Sequence, residues 1–149
     1  MKIVCRSYEA ASRAAAMACF CPIMQYHSEF NHHRRPSRDR TPWNIAERTG
    51  DPRVIPVYRR FARLRERLVP YLAAEARRSV ETSVPLMRAL CFDWPADPRI
   101  WEAPFQYALG ESLLVAPVVE PGVAEWDVYL PDGEWRDAWT GEALRGSQV

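Results

Sequence analysis

The chain has 149 residues, of which 48% are hydrophobic and 26% charged, and its formal net charge is +1. This length suits about one domain, and the composition is that of a globular protein, which excludes disordered, collagen-like and coiled-coil classes. A charge near zero supplies no field to steer phosphate backbones or anionic lipid, so no nucleic acid and no membrane are expected as partners, and no run approaches the roughly 20 apolar residues of a membrane span.

Behind Lys2 no apolar region is sustained, because Arg6, Glu9 and Arg13 interrupt it. A secretory signal is therefore not expected, and its absence points to the cytoplasm. Residues 9–20 read as a short Ala-rich helix, which Pro22 ends. Pro22 to His27 is a short apolar run with the look of a buried strand. Residues 28–50 are polar, hold the basic stretch His32 to Arg40, and predict a long loop. The four cysteines, Cys5, Cys19, Cys21 and Cys91, are too few and too irregular for a disulfide framework. Cys19-x-Cys21 lacks a zinc-type spacing and a second pair, so buried free thiols are expected.

Residues 51–80 carry the clearest pattern. Asp51-Pro52 supplies an N-cap and a first-turn proline. Val54, Val57, Tyr58, Phe61, Leu64, Leu68, Tyr71 and Leu72 then recur at three- and four-residue steps, with arginines on the other faces. Pro70 predicts a kink near the end. Val84 to Phe92 reads as a buried strand closed by Asp93-Trp94-Pro95, and Asp97-Pro98 caps a short helix ending near Gly110. Beyond Gly110 the texture becomes that of strands: Ser112 to Val119 is apolar, Trp126 to Leu130 alternates, and Pro131-Asp132-Gly133 is a hairpin turn before Glu134 to Asp137. Helices and strands alternate first, and consecutive strands follow, so an α/β unit gives way to an all-β module near residue 111.

Several landmarks occur together in one order. Phe20-x-Pro22 with His27 is similar to an F-x-P-x-x-R-x-H stretch. Thr41-Pro42-Trp43 follows, then Leu68-Val69-Pro70-Tyr71-Leu72, Pro85-Leu86-Met87-Arg88-Ala89-Leu90 and Trp94-Pro95. Gln106-Tyr107-x-Leu109-Gly110-x-x-Leu113-Leu114-Val115-Ala116-Pro117-Val118 leads to Val128-Tyr129-Leu130-Pro131-x-Gly133-x-Trp135-x-Asp137-x-Trp139-Thr140-Gly141. Over about residues 9–145 this resembles glycoside hydrolase family 31, the α-glucosidase and α-xylosidase group. The resemblance implies the last βα units of a (β/α)8 TIM barrel followed by the first strands of a β-sandwich. Residues 1–110 would be the C-terminal part of the barrel and 111–149 the start of the sandwich, both incomplete. Gln25 stands where the family's arginine precedes the histidine by two, and Ala10, Ala14 and Ala16 replace the Leu, Trp and Gln of the entering helix. The family's two catalytic aspartates belong to earlier barrel strands and have no counterpart here.

Retaining glycosidases need two carboxyl groups about 5–5.5 Å apart. Asp93 and Asp97 follow the last barrel-type strand, where a barrel places functional groups. They read as a turn residue and a helix cap, so no catalytic residue is assigned. The resemblance makes His27 a substrate-binding residue that contacts the sugar, a role suited to an imidazole because one nitrogen donates while the other accepts. His27, Glu29, His32 and His33 match no closed zinc motif, and neither a metal nor a cofactor is implied. The run from His32 to Arg40 lacks interleaved aromatics and reads as a solvated loop. Trp43 reads either as a stacking platform or as a loop anchor.

Two barrel strands leave open parallel edges and an unpartnered helix face. The expectation is a fragment, lacking the N-terminal part of the barrel, from a parent that hydrolyses α-linked sugars by the retaining two-aspartate mechanism, with the isolated chain inactive. The alternative is a non-catalytic carbohydrate-binding or non-functional remnant.

Overall fold

The computed structural model describes residues 2–5, 10–25, 39–120, 122–123 and 125–147, with only the backbone of 2–5 and 10–13. There are three helices, α1 (Ala10–Cys19), α2 (Pro42–Thr49) and α3 (Val54–Thr82); α1 and α3 pack on one face of a sheet and α2 packs against α3, and six strands form two sheets. The strands are β1 (Lys2–Cys5), β2 (Met87–Ala89), β3 (Tyr107–Leu109), β4 (Leu113–Pro117), β5 (Glu134–Arg136) and β6 (Ala143–Arg145).

The larger sheet has the order β1-β4-β3-β2. β1 runs parallel to β4, with Ile3 opposite Val115, whereas β3 pairs antiparallel with both β4 and β2. Parallel pairing of the barrel kind therefore occurs, among the described residues, only between β1 and β4. β5 and β6 form a separate antiparallel ribbon, with Trp135 opposite Leu144.

β4 is buried along its whole length, as expected of a strand covered on both faces. Because side chains alternate, Leu113 and Val115 face the helices, joining Ala16, Cys19, Phe20, Phe61, Leu68 and Leu72 in one core cluster. Leu114 points the other way and meets Leu90, Ile100 and Tyr129 in a second. Trp94 and Trp135 pack against that second cluster with ring centroids 5.8 Å apart.

α3 buries Phe61, Leu68 and Leu72, a stripe at steps of seven and four, and leaves Arg59, Arg60, Arg63 and Arg67 exposed. The helix continues through Pro70 to Thr82. Ahead of it, the Asp51 carboxylate accepts from the Arg53 backbone N–H at 2.9 Å and grips the same residue's guanidinium.

Several segments differ from expectation. Residues 42–49 lie inside the expected loop but form α2: Thr41 accepts from the Asn44 N–H at 3.3 Å, Pro42 opens the helix, and Gly50, at φ 67°, closes it. The expected helix from Pro98 to Gly110 is a 3-10 turn over Pro98–Glu102 and then β3. Pro104 disfavours the helical conformation at Ala103, and the pairing with β4 takes Tyr107 to Leu109. The strand expected over 84–92 is shortened to β2, followed by a 3-10 turn at Leu90–Phe92. Residues 22–25 are not in a strand and Ile23 is 70% exposed; a barrel strand needs partners on both sides, and among the described residues none pairs there. The rest of that run, Tyr26 and His27, lies outside the described residues.

Candidate functional site

His27 falls outside the described residues, as do Glu29, His32, His33 and most of the basic run. What the structure describes is how the chain enters that region. α1 ends at Cys19, and Phe20 and Cys21 turn back, donating their N–H groups to Met17 and Ala18. Cys19 and Phe20 are wholly buried. Two side chains from elsewhere in the fold, and one of the turn's own, fix it in place. Arg65 of α3 donates to the carbonyl oxygens of Cys19 at 3.0 Å, of Cys21, and of Pro22 at 2.6 Å. Tyr107 of β3 donates its hydroxyl to the Phe20 carbonyl at 3.2 Å. The Cys19 thiol donates to the Phe61 carbonyl at 3.4 Å.

Burial pushes the Cys19 thiol up to about 11, with the Arg65 charge working against that rise and Cys21 adding to it. A thiol held this far up stays protonated and inert at neutral pH. Among the described residues Cys19, Cys21 and Cys91 are free, and only Cys19 is fully buried. Sequence reasoning missed Arg65 by assigning the arginines to the outer faces. Its position carries the signal: it lies four residues after Phe61 and three before Leu68, within the apolar stripe, and an arginine there needs partners.

A second set of contacts secures the turn between β3 and β4. Tyr71 donates its hydroxyl to the Leu109 carbonyl at 2.8 Å and accepts from the Ser112 N–H at 3.1 Å. Glu75 accepts from the Glu111 N–H at 3.2 Å, and Arg78 pairs with the Glu111 carboxylate. Burial raises the Tyr71 hydroxyl above its ordinary range, with the Ser112 hydrogen bond opposing.

Asp93 and Asp97 are both engaged. Asp93 grips the Arg88 guanidinium with both oxygens at 2.8 Å. Asp97 caps the 3-10 turn through the Arg99 N–H at 3.0 Å, and its other oxygen accepts the Tyr129 hydroxyl at 2.5 Å. That hydrogen bond, above all, raises the tyrosine's pKa. The buried Gln106 side chain acts as a strand partner for Tyr129, accepting from its N–H at 2.8 Å and donating to its carbonyl at 2.7 Å. Trp43, on α2, is 63% exposed. No cluster of three or more His, Cys, Asp or Glu able to hold a metal occurs among the described residues.

The fold, a helical layer on a mixed sheet followed by antiparallel strands, is that of a barrel end joined to a sandwich start, and comparison with known proteins agrees. The Glycosyl hydrolases family 31 TIM-barrel domain matches residues 5–75, and the Glycosyl hydrolase family 31 C-terminal domain matches residues 83–149. The chain belongs to glycoside hydrolase family 31, a family of glycosidases. It is 62% identical to a 1,3-alpha-isomaltosidase of Kribbella flavida over 92% of this chain and 19% of that protein. It is 39% identical to an isomaltosyltransferase of Sporosarcina globispora, over 95% of this chain and 13% of the relative. The cycloalternan-degrading enzyme from Trueperella pyogenes has been solved with a covalent intermediate and with isomaltose. It superposes with a TM-score of 0.88 at 52% identity, over 92% of this chain and 20% of that one in the isomaltose complex. The chain thus spans about a fifth or less of the length of these relatives.

Proposed function

We propose that this chain is the barrel-end and sandwich-start portion of an enzyme that cleaves α-1,3-glucosidic linkages of isomaltosyl units, and that His27 contacts the sugar. The observation that carries the reading is the 62% identity to a 1,3-alpha-isomaltosidase across nearly the whole chain. In this reading residues 1–110 complete a barrel and 111–149 begin the sandwich. The two carboxyl groups of a retaining reaction, one attacking the anomeric carbon and one moving the proton, come from strands outside these 149 residues. The covalent intermediate captured in the Trueperella enzyme supports that course, because retaining glycosidases pass through a glycosyl-enzyme. Asp93 and Asp97 offer no substitute pair, being committed to Arg88, the Arg99 N–H and Tyr129.

Isomaltose titrated into the isotopically labelled chain tests both halves of the proposal. The expected result is no hydrolysis, together with saturable shifts of the His27 ring signals in the parent chain and an isomaltose affinity that His27→Ala lowers about tenfold, the loss of one or two hydrogen bonds. Turnover by the 149-residue chain overturns the assignment of catalysis elsewhere. Unshifted His27 signals overturn the sugar contact.

A further inference from the structure

We propose that Phe92, Trp101 and Phe105 form a docking face for the part of the parent enzyme that lies outside these 149 residues. The proposal rests on the reading of the chain as a portion of a longer glycosidase, and it names a surface by which that portion is held. All three side chains belong to one connection, residues 90–106, which joins β2 to β3. Ala89 pairs with Tyr107 across the two strands, so the connection leaves and rejoins the sheet at the same end. Phe92 is 63% exposed, Trp101 71% and Phe105 55%. Aromatic side chains at such exposures leave on the order of 400 Å² of apolar area in water. That is the scale at which exposed apolar surface marks an interaction site.

The connection is firmly built. Its inner side sends Leu90 and Ile100 into the second core cluster, with Trp94 packed against them. Backbone hydrogen bonds close its turns: the Trp94 N–H donates to the Leu90 carbonyl at 2.9 Å, Asp97 to Trp94 at 3.2 Å, and Gln106 to Ala103 at 3.1 Å. Asp97 caps the 3-10 turn Pro98–Glu102 that carries Trp101. A segment held in this way presents its outer side chains without a large ordering cost on association.

The polar side chains of the same connection narrow what this face fits. Asp93 grips Arg88, Asp97 holds the Arg99 N–H and the Tyr129 hydroxyl, and Gln106 pairs with the Tyr129 backbone. Arg99 donates to the Ser147 carbonyl at 3.2 Å and lies 4.7 Å over the Tyr129 ring. A sugar site sets polar groups beside its rings to fix the ligand's orientation. Here those groups are engaged within the fold, and two of the three rings are phenyl groups with no hydrogen-bonding atom. Such a face fits apolar protein surface. The relatives show where that surface comes from. In the Trueperella enzyme this stretch keeps its fold, with a TM-score of 0.88, while matching only 20% of the chain. The rest of such a polypeptide is there to cover the three rings.

The test compares the 149-residue chain alone with the same chain set in place of the matched 137 residues of the Kribbella 1,3-alpha-isomaltosidase. Hydroxyl-radical labelling read by mass spectrometry follows the three rings in both. In the isolated chain they are expected to label within about threefold of the urea-unfolded rate, and in the joined protein about tenfold more slowly. Trp101→Ser should shift the melting midpoint of the isolated chain by no more than about 2 °C, as befits a ring outside its own core. A larger loss there marks Trp101 as a core residue and overturns the proposal. A joined protein that cleaves an α-1,3-linked isomaltosyl substrate while the rings still label at the isolated rate also overturns it, and leaves the parent reading standing. A joined protein that neither folds nor cleaves overturns the parent reading, and the docking face with it. Protection that grows with the concentration of the isolated chain assigns the face to a second copy, and protection brought by isomaltose assigns it to sugar; either result overturns the proposal.

Discussion

Cys19 is wholly enclosed among Phe20, Phe61 and the α1 alanines, and burial raises its thiol pKa from 9.0 to about 11. A raised value in the folded state means the unfolded chain gives up this proton first. The thiol's contribution to stability is therefore complete below pH 9 and is lost as the pH climbs through about 11. Thermal melts between pH 8 and 11 should show a steeper alkaline loss in the parent than in Cys19→Ala; equal slopes would refute the assignment. Tyr71 and Tyr129, also shifted upward, are common to both proteins and cancel in that difference. At this scale the sequence was partly readable. Asp97 as a cap followed from its place before Pro98, and the structure shows the cap. The hydrogen bond from Tyr129 to Asp97 spans 32 residues, and no local pattern encodes a partner that distant.

Among the elements, α3 was the most legible because its apolar stripe repeats over many turns, and periodicity gains force with length. α2 was hidden by its polar composition, although Thr41-Pro42 at its start and Gly50 at its end are terminal signals of the ordinary kind. β3 was read as helix because its three residues are too short to show alternation, and its state is set by β2 and β4 on either side. Docking of α3 on the β3–β4 turn gives a test of element packing. Gly110 has φ +64°, and a Cβ there would collide with the Tyr71 hydroxyl and lie 2.6 Å from the Glu75 side chain. Gly110→Ala combines a left-handed backbone cost of about 1–2 kcal/mol with displacement of Tyr71 from its two backbone partners, at about 1 kcal/mol each. The expected destabilisation is about 2–4 kcal/mol by denaturant titration, and a loss below about 1 kcal/mol would show that the turn relaxes freely.

Across the whole molecule, the two family matches divide the chain between residues 75 and 83, whereas the change of texture in the sequence comes near residue 111, in the turn between β3 and β4. β4 belongs to neither side alone. Leu113 and Val115 pack with the helices while Leu114 packs with Ile100 and Tyr129. Gln106 adds a second tie by pairing the residue before β3 with Tyr129. Large apolar side chains such as Phe92, Trp101 and Phe105 stay exposed, as suits a chain that spans a fifth of its relatives. A strand shared between two cores cannot release one and keep the other. Heating or urea should therefore produce one melting step, with tryptophan emission from Trp94 and Trp135 and the helical circular dichroism of α3 falling together. Two separated steps would mean that the boundary between the family's modules is also a mechanical seam, which the shared strand forbids.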